Sequence, residues 1–297
     1  MVTAAPLTED EAAKVKLLGV RVGLLPDDML VAGSQAAALR RFLVAKKWDV
    51  DAAAAQLGAT IAWRATHVPP ALASPPTERL ALVRKLFPSN PLLGISKSGH
   101  PVSLACLCVS DPGVVAKEIT ASDLVSDFVV RAEWYSSVVF QDASAKAGSV
   151  IDKEVALVDI SGLGLSHRPL LSLFKEFNAT SGAFFPERTA HIVVLNAPRA
   201  FSVLWSLAKV FVDPRTARKV AICSDGAAQL AALSEHLHEA DIPARYGGVR
   251  REPALGGSSD DETRAVFAQL DVWLASRAHQ KPTGGVGGGD AARAGDT

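Results

Sequence analysis

Apolar residues crowd one stretch of this chain above all others. Between 200 and 212 (AFSVLWSLAKVFV) every residue except Ser202, Ser206 and Lys209 is apolar, and those three fall at helical spacing on one side. A surface helix needs only an apolar stripe, so this pattern predicts a helix with apolar material on more than one side. The run is too short to cross a bilayer, which takes roughly 20 residues. Both a buried core helix and a lid over an internal pocket fit it. Asp213-Pro214 then stops the helix and restarts the chain, with Asp as N-cap and Pro as first helical residue. Thr216 and Lys219 follow three apart on one face of the new turn.

Ahead of this stretch the pattern changes once. Thr8 and Glu11 have capping-box spacing at the head of a first helix, with Gly19 as its expected end. Ser34 caps a second, with Leu39, Phe42 and Leu43 as its stripe. Asp49 caps a third, with Ala53, Leu57 and Ile61 before Trp63 and Arg64. These three read as a small helical bundle. The four prolines of 68–77 (VPPALASPPT) are expected to stop the helix and mark a boundary. Beyond them, short apolar runs at 102–109, 155–160, 191–195 and 220–223 alternate with helical patterns. The last three runs are nearly continuous in Val, Ile, Leu, Ala and Cys, as in strands covered on both faces, so an α/β lobe with a mostly parallel sheet is expected. A final amphipathic helix starts near Ser259 and sets Val266, Leu270, Trp273 and Leu274 on one side, to pack back on the body; the Gly-rich end reads as a tail. The division expected is 1–75 helical, 76–251 α/β, and 252–297 helix and tail.

Composition narrows the chemistry. Lys and Arg number 31, as do Asp and Glu, so no global field favours nucleic acid. Mean hydropathy is +0.19, compatible with a large core or an apolar cavity. The three cysteines form no metal-ligand cluster, and a reducing cytosol is the default. The N-terminus has no signal-peptide pattern. Ser161-Gly162-Leu163-Gly164 lacks the third glycine of a dinucleotide loop, His167 standing there, and reads as a tight turn. There is no G-x-S-x-G elbow or phosphate loop. His100 and His191 have no obvious acid partner, His236 and His238 lie two apart on a helix pattern, point in different directions and read as solvated, and Asp159 reads as a turn or capping acceptor. Catalysis and a metal site are therefore not expected.

The stretch 39–64 (LRRFLVAKKWDVDAAAAQLGATIAWR) resembles the N-terminal helical segment of the CRAL-TRIO lipid-transfer proteins. The likeness continues through Gly99-His100-Pro101-Val102, Val158-Asp159-Ile160-Ser161-Gly162, Phe185-Pro186-Glu187-Arg188 and Leu195-Asn196-Ala197-Pro198, then Asp213-Pro214-Arg215-Thr216 and Tyr246-Gly247-Gly248. Order and spacing match over roughly residues 34–250, and the set as a whole is specific.

The resemblance implies a helical lobe before an α/β lobe whose sheet floors an apolar lipid pocket. The 200–212 helix would be its gate, with Phe201, Leu204, Trp205, Leu207, Ala208 and Phe211 at gate or pocket. In the branch that transfers phosphatidylinositol, the headgroup-holding positions fall here on Lys46, Lys47, Glu187, Thr216 and Lys219. Cationic and hydroxyl donors suit a phosphodiester, and Glu187 suits inositol hydroxyls. Ser103 stands where an aromatic contacts choline in the branch that also carries phosphatidylcholine, and Gly164 where a hydroxyl does. The expectation is a monomeric, cytoplasmic, non-enzymatic carrier that touches membranes transiently, with a bound phospholipid and neither cofactor nor nucleic-acid partner. A carrier of a neutral lipophile and a protein-interaction module remain as alternatives.

Overall fold

The computed structural model describes residues 7–73, 75, 77–108, 110–198, 201–251 and 261–278, without the side chains of 202, 203 and 278. Four helices come first: α1 (Glu9–Val22), α2 (Gln35–Ala45), α3 (Val50–Ala73) and α4 (Thr77–Leu86). Their starts are set by local chemistry. The Thr8 hydroxyl accepts from Glu11 N and the Glu11 carboxylate accepts from Thr8 N, a reciprocal capping box. Ser34 accepts from Ala37 N, and Asp49 from Ala52 N.

Two expected ends were wrong. The first helix runs through Gly19 and stops at Gly23, which has φ 72° and so can leave the helix without a Cβ penalty. The third runs through Pro69 and Pro70 to Ala73. Burial of Val68 and Ala71 beside Val129, Ala132 and Phe185 keeps this last turn helical although two N–H donors are missing.

One mixed sheet of five strands follows, in spatial order β1 (Ser89–Ile95), β2 (Pro101–Cys106), β3 (Glu154–Asp159), β4 (Thr189–Leu195) and β5 (Val220–Ile222). β1 pairs antiparallel with β2, and the remaining pairs are parallel. β1 was not foreseen. Its sequence, SNPLLGI, carries a proline and a glycine, and it lies at the sheet edge, where an absent ladder donor is tolerated.

Between the strands lie α5 (Pro112–Glu118), α6 (Ala121–Trp134), a π-helical turn (Tyr135–Val139) and α7 (Phe140–Ala147), then α8 (Leu171–Phe184), α9 (Phe201–Ala208) and α10 (Pro214–Ala217). α11 (Gly226–His236) and α12 (Asp261–Ala278) are the last helices among the described residues. Leu270 and Leu274 of α12 are buried in a cluster with Leu80, Trp134 and Phe140, so the last helix packs back on the body. The cap expected at Ser259 and the tail lie outside the described residues.

The two faces of the sheet differ. On one, Val102, Leu104, Val155, Leu157, Val193 and Leu195 are sealed by Leu233 and Leu237 of α11 with Ile242 and Tyr246. At the C-terminal end of β3 on this face, the buried Asp159 accepts from Tyr246 Oη at 2.7 Å, Ser161 N at 2.8 Å and Asn196 Nδ2 at 3.1 Å. It is a turn acceptor, as its sequence context indicated. On the other face Ser103, Ala105, Ala156, Val158 and Ile192 remain only half-buried.

Candidate functional site

The half-open sheet face is where the gate stretch comes to rest. Phe201 packs with Val158, Ile192, Val194 and Val220 of that face and stacks on Trp205 at 5.8 Å. Leu204 and Ala208 are buried, whereas Leu207, Val210 and Phe211 are exposed, Val210 by 70%. The helix expected over 200–212 is shorter than its apolar run: α9 ends at Ala208, and a 3-10 turn (Lys209–Phe211) continues it. Its two-sidedness stands, with one side on the sheet and one towards solvent. Asp213 then caps the four-residue α10, its carboxylate accepting from Arg215 N at 2.8 Å, and Pro214 opens it.

α8 forms the neighbouring wall. It presents Leu171, Leu173, Phe174, Phe177 and Phe184, yet none of its fourteen residues is fully buried. α8 packs against α3, α6 and the gate, and an apolar-rich helix with no buried residue is incompletely packed, whereas protein interiors normally close to crystal-like density. Between α8 and the gate an open cleft of ≈ 410 Å³ is lined by Leu171, Leu207, Val210 and Phe211, with Arg168 and Lys175 at its edge. This size lies within the range of small-molecule sites. None of the five headgroup candidates lines this cleft.

Those candidates gather elsewhere, and only in part. β4 and β5 run parallel with Ile192 opposite Val220, so Glu187 and Lys219 both stand at strand entries. Lys219 Nζ donates to Glu187 Oε2 at 2.9 Å and to the Thr189 carbonyl at 2.9 Å. Thr216 lies one turn earlier, its carbonyl accepting from Lys219 N at 2.9 Å. Glu187 is held at φ 55°, a left-handed conformation that is uncommon for a residue with a Cβ and clusters at binding sites. Its side chain is 10% exposed.

Lys46 and Lys47 are not brought into this pair. Lys46 is the C-cap of α2, and Lys47 is exposed at φ 54°, where both complement the negative end of the helix dipole. Among the described residues neither makes an ion pair. Besides Arg215, whose Nη1 stands 3.9 Å from Glu187 Oε1, Arg41 and Lys153 lie in the field of Glu187. Arg41, on α2, pairs with Asp152 at 3.2 Å. Lys153, just before β3, has its pKa lowered, first by burial and also by Lys219 and Arg40. Arg41 lies in the same L-R-R-F-L run as the residues flagged by the sequence. For Lys153, nothing short of the strand register pointed to it.

Two of the histidines meet here, and His236, read from the sequence as solvated, is half-buried by the contact. His191 of β4 packs against His236 of α11, with ring centroids 4.3 Å apart and planes tilted by 31°. Burial is the first cause lowering the pKa of His100, His191 and His236, with Lys219 acting on His191 and His191 on His236. Lys97 and Lys153 oppose protonation as well, and Asp152 and Glu235 favour it. With folded pKa values below the unfolded value of 6.5, the unfolded chain takes up protons first as pH falls. The thermal midpoint should therefore drop as pH falls from 7 through 6.5 into the acid range, and His236→Gln should flatten part of that slope. A slope unchanged in the variant would remove the pair as its cause.

Burial pushes the Cys106 and Cys108 thiols up to about 12, which leaves them protonated and poor nucleophiles at neutral pH. No cluster able to hold a metal ion, and no helix long and apolar enough to cross a membrane, occurs among the described residues.

Comparison with known proteins gives a consistent picture. Residues 92–248 match the model of the CRAL/TRIO domain. A phosphatidylinositol/phosphatidylcholine transfer protein of Arabidopsis thaliana is 26% identical over 213 residues, covering 71% of this chain and 56% of that protein. The SEC14 cytosolic factor of Eremothecium gossypii is 27% identical over 212 residues, covering 71% of this chain and 68% of that factor. This chain thus spans about half the length of the plant relative. The crystal structure of Sfh5 superposes with a TM-score of 0.63 at 14% identity, over 92% of this chain and all of that one, a likeness of fold.

Proposed function

Because the chain belongs to the CRAL-TRIO domain family, we propose that it binds one phospholipid in an internal apolar pocket and exchanges it at membrane surfaces, with phosphatidylinositol as the lipid. The observation that carries this reading is incomplete packing on two elements: α8, a fourteen-residue helix with no buried residue, and the sheet face under the gate, whose Ser103, Ala105, Ala156, Val158 and Ile192 are only half-covered. Acyl chains complete such an interior, at about 0.8 kcal/mol per methylene removed from water. The gate closes over them, and its exposed Leu207, Val210 and Phe211 are the side that meets the bilayer. Transfer needs no bond made or broken, so the protein acts as a carrier.

Selectivity falls to the strand-entry cluster. Lys219 and the Thr216 hydroxyl face the phosphodiester, Glu187 accepts from inositol hydroxyls, and Lys46 and Lys47 add positive charge once the headgroup is seated. The names of the plant and fungal relatives support the lipid class. Phosphatidylcholine fits less well, because Ser103, whose hydroxyl donates to Glu154 at 2.9 Å, offers choline no aromatic face.

Mass spectrometry of lipid carried by the purified full chain tests the proposal. Phosphatidylinositol as the main species is expected. A neutral lipophile without phosphorus would convert Lys46, Lys47 and Lys219 into ordinary surface charges, and no lipid at all, with a stable protein partner in its place, would end the carrier reading.

A further inference from the structure

Where the N-terminal helices meet the sheet lobe, a second and smaller cavity of ≈ 40 Å³ lies between α2, α3 and the chain entering β4. Three arginines line it, Arg41, Arg64 and Arg188, against one carboxylate residue, Asp28. Arg41 and Arg64 are only 8% and 7% exposed. The nearby carboxylates are already engaged. Glu133 takes both terminal nitrogens of Arg64 at 2.7 and 2.8 Å, Asp28 takes one of them at 2.6 Å, and Asp152 holds Arg41.

Arg188 has no carboxylate within ion-pair distance among the described residues. It donates to the Ala132 carbonyl at 3.1 Å and to the Ser136 hydroxyl, both beside the π-helical turn, and lies over the rings of Phe185 at 5.4 Å and Phe140 at 5.7 Å. The Nε of Arg64 is buried without a partner. Arg188 itself is half-buried; a cation drawn out of water without a paired carboxylate is disfavoured, and the orphaned Arg64 N–H adds to the imbalance. Consistent with this, burial and the neighbouring Arg41 and Arg64 lower the Arg188 guanidinium to about 9, although Glu133 and Glu154 act to raise it.

We propose that this cavity is an anion site, holding one chloride-sized inorganic ion between Arg41, Arg64 and Arg188 and fastening the helical lobe to the sheet lobe. One water needs roughly 10–15 Å³ of such space, so a monatomic anion fits, whereas an inositol ring does not. The ion supplies the counter-charge that Arg188 lacks. The site shares no lining residue with the open cleft between α8 and the gate.

Thermal unfolding of the full chain in sodium chloride and in sodium gluconate at matched ionic strength tests this. With chloride at ten times its Kd, linkage shifts the folding equilibrium about elevenfold and raises the midpoint by about 3 °C over gluconate. Arg188→Gln should abolish the difference between the salts, and Arg188→Lys should keep part of it. Should Arg188→Gln not fold, crystals of the unaltered chain soaked in bromide should show anomalous scattering between the three guanidinium groups. Equal midpoints in the two salts, an undiminished difference in a folded Arg188→Gln, or no bromide peak would each overturn the site and leave a cavity holding water alone.

Discussion

Lys219→Ala should lower phosphatidylinositol transfer between vesicles by about 10- to 150-fold, the equivalent of one charge-assisted hydrogen bond of roughly 1.5–3 kcal/mol. Two of the three ammonium donors already go to Glu187 and Thr189, so the proposed phosphate contact uses the third. The same truncation strips Glu187 of its near partner, because Arg215 Nη1 stands 3.9 Å from Oε1. A modest fall of a few degrees in the unfolding midpoint is therefore expected, with the fold retained. Thr216→Asp should give a comparable loss by a different route, since it places a carboxylate where a phosphate is to sit. Circular dichroism and a fluorescent-lipid transfer assay on both variants separate binding from folding. Transfer surviving in both would show that the headgroup lies elsewhere.

Arg64→Ala should be the most destabilising single truncation of a charged residue, by about 3–5 kcal/mol, or a midpoint lower by about 10 °C. Arg64 on α3 makes a two-pronged ion pair with Glu133 on α6, 2% exposed, and a third contact to Asp28. Removing the guanidinium leaves Glu133 charged and buried. Burial lowers the pKa of the Arg64 guanidinium, but Glu133 and Asp28 together outweigh it and hold the pKa above its usual value. The paired change Arg64→Met with Glu133→Leu should recover much of the loss, because it removes the orphaned charge together with its partner. Thermal denaturation of the single and double variants checks this; a double variant as unstable as Arg64→Ala would assign the loss to packing instead.

Local signals were read well where their causes are local. Thr8, Ser34, Asp49 and Asp213 each cap a helix by reaching a backbone N–H two or three residues ahead, so spacing alone exposes them. The strands after the first are legible because burial on both faces leaves nearly unbroken apolar runs. β1 escaped because edge position relaxes that requirement, and the helical turn over Pro69 and Pro70 escaped because packing outweighed propensity there.

The site divides in the same way. Motif spacing drew attention to Glu187, Thr216 and Lys219 but said nothing of Arg41 or Lys153 acting on Glu187, of the histidine pair, or of three arginines around one small cavity.

By itself the chain specified its caps, its central strands, an apolar gate stretch and the family it resembles, since each depends on neighbours a few residues apart. Tertiary structure alone decided which charges share a low-dielectric space. The contact between Glu187 and Lys219 spans more than thirty residues and exists only because parallel strands hold β4 and β5 in one register. Whether a charge is paired or left over follows from where chain entries converge, which no spacing along the sequence encodes.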